Sequence, residues 1–409
     1  MVSNACFVLI LLKGLRLFLR EEFKVNRGEK AIFIIFIDGL SYDLAKRRNL
    51  FKDLDLSDLG PITPGIGYSV NQKVELFSGL KPDEVGFFCE WGLKPSFNTT
   101  KVRRYSGLLR PIRNAYILDG LIHKMVNFWY DTANIPFHLI GYFSKIKDGL
   151  VYSPTSRIPS IFKEYPIERV LVEEYGEDDI VFEEALRRIP EVPLLFISIG
   201  ELDLYAHHFG LGSEKYEVKL VKTIENIANL VNYYRKIRPQ GYILILSDHG
   251  MAEVTQGISL NNMEKEFGEA SEKTFIYFQD STIMRVWVFD TVLYTEIEDY
   301  LQKTPFGKVL SPEERKKLGV STPDFGSCIF ILKEGYIFRP SFHGLSLRTK
   351  AMHGYHPECK SQKTICYFSG SLQDLGYDLN RMKLESLDVF ELMRKLLKPW
   401  GKTLGRKGK

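Results

Sequence analysis

The sequence predicts an α/β protein in three layers, with a mostly parallel central sheet between helices and an inserted cap region. Short apolar runs at 31–37, 193–199 and 241–246 have the length and β-branched content of strands buried on both faces. Helical patterns separate these runs, so successive strands are joined by crossovers and run parallel. Residues 270–350 interrupt the alternation with strand-like runs of their own.

Strand 31–37 comes first. Val70 to Phe77 then holds neither Pro nor Gly and reads as the body of a helix over 69–78, with Ser69 as N-cap. Strand 137–142, helix 180–188 and strand 193–199 follow. Helix 213–236 is capped by Ser213, and Tyr216, Leu220, Ile224, Ile227, Val231 and Tyr234 form one apolar stripe. Pro239 and Gly241 end it before strand 241–246; strand 364–368 and helix 386–397 close the alternation. Within the interruption, 274–278, 282–289 and 328–332 read as strands, and Ser311-Pro312-Glu313-Glu314 opens a helix. The chain therefore divides into an N-terminal amphipathic segment (1–29), the first part of a catalytic core (30–269), a cap insertion (270–350), the last part of the core (351–400) and a basic tail (401–409).

At 409 residues and 44% hydrophobic, the chain can bury a large core, and a net charge of +4 gives no reason to expect specific nucleic-acid binding. Five cysteines, an odd number without a CxxC pair, suit reduced thiols and a cytoplasmic location. The apolar run from Cys6 to Leu12 is stopped by Lys13, short of the ~20 residues that span a bilayer, and it lacks the flanks of a secretory signal. Lys13, Arg16, Arg20 and Lys24 lie opposite Leu11, Leu15, Phe18 and Leu19 at helical spacing. Residues 6–24 are thus expected either to make weak peripheral contact with an anionic membrane surface or to pack on the core.

Chemistry enters at the strand ends. Strand 31–37 ends in Asp38-Gly39, strand 241–246 in Ser247-Asp248-His249-Gly250, and strand 193–199 leads into Asp203 and His207. A spacing of four puts Asp203 and His207 on one helix face, so both can reach one cation. A loop, His353-Gly354-Tyr355-His356-Pro357, precedes the run at 364–368. The carboxyl edge of a parallel sheet is where such folds keep their sites. Three acids (Asp38, Asp203, Asp248) and three imidazoles (His207, His249, His353) suit two borderline-soft divalent ions, zinc first and manganese or another divalent ion as the alternative.

In this order, and with a hydroxyl ahead of the turn Ser78-Gly79-Leu80-Lys81-Pro82, the motifs resemble the alkaline phosphatase superfamily. The nearest likeness is to its type I phosphodiesterase/nucleotide pyrophosphatase branch, over residues 30–400. The resemblance implies an alkaline phosphatase-like sandwich and a two-metal phosphoric ester hydrolase acting on a small-molecule phosphoester. It further implies one ion held by Asp203, His207 and His353, and another by Asp38, Asp248 and His249 together with the nucleophile Ser69. The chemistry asks for such a residue independently: a serine hydroxyl needs a base or a metal to act at neutral pH, and a helix N-terminus favours a bound phosphate.

One departure stands out. Where many relatives carry an Asn that binds a phosphoryl oxygen, this chain has Glu90, followed by Trp91. A carboxylate repels that oxygen, so either Glu90 turns away or another group takes over; Lys101 and Arg103, in the basic stretch with Arg104, Arg110 and Arg113, are candidates. The missing donor also favours diesters, whose leaving groups Phe87, Phe88, Trp91, Tyr105, Tyr277 and Trp287 would receive. Glu201 and Tyr205 are expected to orient ligands, His208 and His356 to lie at the surface or behind the ligands, and His123 to be structural. The alternatives are a phosphomonoesterase, a transferase passing a phospho-group to a lipid or glycan, and a metal-free binding protein on the same fold.

Overall fold

The computed structural model describes residues 30–400 except 95–134, 137, 147–150, 153–155, 172–176, 261–262, 343–347 and 372–382. The expectations for residues 6–24, for the tail 401–409, for Lys101, Arg103, Arg104, Tyr105, Arg110 and Arg113, and for His123 fall outside the described residues.

The central sheet contains β1 (Ile32–Ile37), β2 (Ser57–Asp58), β3 (Glu168–Val170), β4 (Leu194–Ile199), β5 (Tyr242–Leu246) and β10 (Cys366–Phe368), in the spatial order β2-β10-β5-β1-β4-β3. From β5 to β3 the strands are parallel, whereas β10 runs antiparallel to both β5 and β2. The residues of β1 show why the sheet is covered twice. Phe33, Ile35 and Ile37 pack into a core with Leu202, Tyr216, Leu220, Ile227 and Val231 from helices α3 (Glu201–Phe209) and α4 (Glu214–Ile237). Ile32, Ile34 and Phe36 face the opposite way, against Val74 and Phe77 of α1 (Ser69–Ser78) and Val389 and Met393 of α6 (Ser386–Leu397). A strand that is apolar on both sides needs a helix layer on each. α2 (Asp178–Arg188) lies in the first of these layers through Val181, Phe182 and Ala185.

A second sheet of four antiparallel strands falls within the stretch that broke the alternation. β6 (Phe275–Gln279), β7 (Ile283–Val288), β9 (Cys328–Leu332) and β8 (Gly307–Val309) follow one another in space. The helix α5 (Pro312–Leu318) opens with Ser311 and Glu314 in a reciprocal capping box.

Three local expectations are corrected. Within the expected strand 137–142, the described residues 138–142 form no strand: the Pro136 carbonyl accepts from the N–H groups of Leu139 and Ile140, and the chain turns as a 3-10 helix over Ile140–Tyr142. Its apolar residues bury against the second sheet instead. The strand position flanking β4 belongs to β3, whose Glu-Arg-Val carries no apolar run to read. Ser69 is the first residue of α1 and Tyr68 its cap, without a side-chain cap bond. Phe87, Phe88, Trp91, Tyr277 and Trp287 are buried in packing cores, so they offer no leaving-group surface. Phe88 and Trp287 flank the buried Arg285, whose guanidinium lies 5.9 Å from the Phe88 ring and 5.1 Å from that of Trp287. No helix among the described residues is long and apolar enough to cross a membrane.

Candidate metal centre

The carboxyl edge of the parallel strands gathers the predicted residues. Asp38 follows β1 directly, its N–H bonded to the Ile199 carbonyl at 2.9 Å. Asp248 and His249 follow β5, and Asp203 lies in the first turn of α3 after β4. Asp178 steadies that turn: its Oδ1 accepts from the N–H groups of Gly200 (3.0 Å) and Glu201 (3.3 Å). The side chain of Glu201 pairs with Lys219, whose Nζ lies 5.8 Å over the Tyr205 ring, so both residues fix α3 against α4 rather than entering the site. His353 arrives on the loop after the short strand Ala351–Met352.

Gly39 makes the convergence possible. Its φ of +75° is open to glycine, and a Cβ there would lie 3.0 Å from the Cβ and Oδ1 of Asp203. Gly354, at φ +82°, likewise lies against the Tyr68 ring and the Thr282 hydroxyl.

The side chains form one continuous cluster. Ser69 Oγ lies 2.7 Å from His249 Nε2, which also faces Asp38 Oδ1 at 3.2 Å and Asp248 Oδ2 at 3.6 Å. On the other side, Asp203 Oδ2 meets His207 Nε2 at 3.2 Å and its Oδ1 lies 4.0 Å from His353 Nε2. Two sets of buried groups have ligand atoms within 4.8 Å of one another: Asp38, Asp248 and His249, and Asp203, His249 and His353. The first is the set implied by the resemblance. In the second, His249 stands where His207 was expected, because the His249 and His353 rings stack while His207 approaches Asp203 from its helix flank.

These groups fit divalent cations. Asp38 Oδ1, Asp203 Oδ1, Asp248 Oδ2 and His353 Nδ1 are buried without hydrogen-bond partners, an expensive state for anionic oxygens unless a cation takes their lone pairs. The other oxygen of Asp248 is already occupied, accepting from His249 N–H at 3.0 Å. His249 Nδ1–H donates to the Gly250 carbonyl (3.0 Å) and His207 Nδ1–H to that of Ala351 (2.8 Å), which points both Nε2 atoms at the acids.

The electrostatics agree. Burial pushes the Asp248 carboxyl up, helped by Asp38, to about 7. Burial acts against the charges of Asp38 and His249 too, but their neighbours outweigh it: Lys73 and His249 hold the Asp38 carboxyl well below the usual range, and Asp248 and Asp38 lift the His249 imidazolium to about 9. His353 is held well below its ordinary value by burial and by the charges of His249 and His207.

Lys73 is the residue that the sequence reading missed. Its Nζ lies 2.5 Å from Asp38 Oδ2 and 3.8 Å from Asp248 Oδ2. The available signal was its place four residues after Ser69 on one helix face. Tyr68 ties the start of that helix to the second sheet: its hydroxyl accepts from the N–H groups of Thr282 (2.9 Å) and Ile283 (3.2 Å), and Thr282 Oγ1 donates to the Gly354 carbonyl at 2.8 Å. His208 is exposed, and His356 Nε2 lies 3.6 Å from Glu314, outside the cluster.

The family described as Type I phosphodiesterase / nucleotide pyrophosphatase matches residues 129–356. No curated protein matches the sequence. Among solved structures, murine ectonucleotide pyrophosphatase/phosphodiesterase 5 is similar with a TM-score of 0.61 at 12% identity, covering 90% of this chain and 95% of that one. An inactive variant of the murine protein in complex with AMP gives the same TM-score and coverages at 13% identity. The human protein of the same name does so at 14%. Likeness at this identity establishes the fold.

Proposed function

The chain belongs to the type I phosphodiesterase/nucleotide pyrophosphatase family, hydrolases of phosphoester bonds, and on that premise we propose a two-metal phosphodiesterase that acts through Ser69. The carrying observation is the 2.7 Å approach of Ser69 Oγ to His249 Nε2, at the junction of the two buried ligand sets. Asp38, Asp248 and His249 would hold one divalent ion, zinc by the nature of the donors. Asp203 and His353, with His207 beside Asp203, would hold the other. When bound, the ions supply the positive charge that acidifies the serine hydroxyl and steadies the leaving oxygen.

The chain's own residues do the rest. As the first residue of α1, Ser69 leaves its hydroxyl free to point at the cluster, and the unpaired N–H groups of that first turn favour a phosphoryl oxygen. A bond forms between Ser69 Oγ and phosphorus as the ester P–O bond breaks, and the departing oxygen takes a proton. Water then cleaves the Ser69–phosphorus ester, releasing the rest of the substrate as a phosphomonoester and restoring the hydroxyl. Tyr68 and Gly39 keep the parts in register, one by anchoring the helix start and the other by admitting Asp203.

The substrate class is a small phosphodiester, nucleotide-like by analogy with the AMP-bound murine protein. A diester carries one negative charge fewer than a monoester and needs fewer donors, in keeping with Glu90 at the Asn position. The test is hydrolysis of a chromogenic diester against the monoester with the same leaving group, with added Zn²⁺ or Mn²⁺. Higher kcat/KM on the diester is expected; higher kcat/KM on the monoester would assign a phosphomonoesterase instead.

A further inference from the structure

Lys73 stands in the middle of the ligand set without belonging to it. It sits one turn beyond Ser69 on α1, and its stem runs over the Phe36 ring, with Nζ 5.2 Å from the centroid. Its ammonium is aimed at Asp38 Oδ2 and Asp248 Oδ2, and the second of these oxygens also faces His249, which meets Asp38 through Oδ1. An ammonium and a divalent ion compete for the same carboxylates, because each neutralises the buried charge that the other would. The side chain is 18% exposed, and a four-carbon stem lets the ammonium swing by several ångströms without moving the helix.

That swing has an obvious destination. A phosphoryl group bonded to Ser69 would lie one helical turn from the Lys73 Cα, on the same face, and residue 90 supplies a carboxylate where a donor to that group is expected. We propose that Lys73 alternates between two partners. It neutralises Asp38 and Asp248 before metal enters and, once displaced, donates to a non-bridging phosphoryl oxygen on Ser69. One ammonium provides one added positive charge, which suits the single negative charge of a diester. This inference rests on the reading of Ser69 as nucleophile.

The experiment measures metal binding and turnover separately on the full-length protein. Metal-stripped wild type, Lys73→Met and Lys73→Arg are titrated with Zn²⁺ alone by calorimetry, then assayed with a chromogenic diester. Lys73→Met should bind its weaker Zn²⁺ equivalent roughly ten-fold more tightly, because the competing cation is gone. It should lose on the order of 10²-fold in kcat/KM, the scale of one removed transition-state donor. Lys73→Arg keeps the charge and should retain wild-type Zn²⁺ affinity and most turnover; it carries the test if the Met variant does not fold. Unchanged or weaker Zn²⁺ binding by Lys73→Met overturns the competition, as tighter binding by Lys73→Arg does. Unchanged kcat/KM in Lys73→Met overturns the donor role. Ser69→Ala run alongside separates the two readings: if it stays active the nucleophile assignment fails, while the Zn²⁺ titration still reports on Lys73.

Discussion

The imidazole rings of His249 and His353 stack with their centroids 3.7 Å apart and their planes 8° from parallel. They come from chain positions on either side of the second sheet, yet they join the two ligand sets into one cluster. Two stacked imidazoles do not both carry a proton readily. His249, beside Asp38 and Asp248, keeps its charge, and His353 gives its own up.

Replacing His353 by Ala should therefore remove about one divalent ion per chain and leave the ion of Asp38 and Asp248 in place, since that set does not include His353. Elemental analysis after zinc-supplemented expression reads this directly. Loss of both ions would mean that the stack, not the ligand set, organises the site.

Ser69→Ala should lower diester turnover by at least ~10³-fold, the usual scale for a lost nucleophile, with unchanged Zn²⁺ stoichiometry and unfolding temperature. The hydroxyl caps nothing in α1, so its removal costs the helix little. Near-wild-type rates would assign the attack to a water.

Gly250→Ala should destabilise the fold by roughly 2–3 kcal/mol and weaken metal binding together. A Cβ there would overlap the Ser361 carbonyl and come within 2.6 Å of Ser41 Cβ, pushing on the peptide next to His249. Thermal unfolding in the metal-stripped state isolates the structural part.

Glu75 gives a pH prediction away from the metals. The residue is 5% exposed, and burial pushes its carboxyl up from 4.5 to about 7. A raised carboxyl binds its proton more tightly in the folded state, so its contribution to stability is lost as pH rises from about 4.5 through about 7. The loss is on the order of 3 kcal/mol at most. Glu75→Gln, which cannot ionise, should melt higher than wild type at pH 8 and no higher at pH 4.5. An equal advantage at both pH values would show that ionisation of Glu75 is not its source.

The sequence by itself determined the sheet-and-crossover architecture and singled out acids and imidazoles that the fold brings together. Asp38, Asp248 and His249 were legible because a buried parallel strand is an unbroken apolar run, and a polar residue at its end has nowhere to go but the sheet edge. Helix 214–237 was legible because its stripe repeats over 24 residues. The expected strand at 137–142 was misread at its described residues, 138–142, since a short stretch rich in apolar residues has the same pattern in a strand or a turn, and only packing against the second sheet chose between them. Tertiary structure alone decided how the ligands divide. The stacking of His249 on His353 and the convergence of Lys73 on Asp38 and Asp248 depend on angles between segments 35 to 175 residues apart. No local periodicity encodes those angles; the packing of α1 and the His353 loop around Tyr68 and Thr282 sets them.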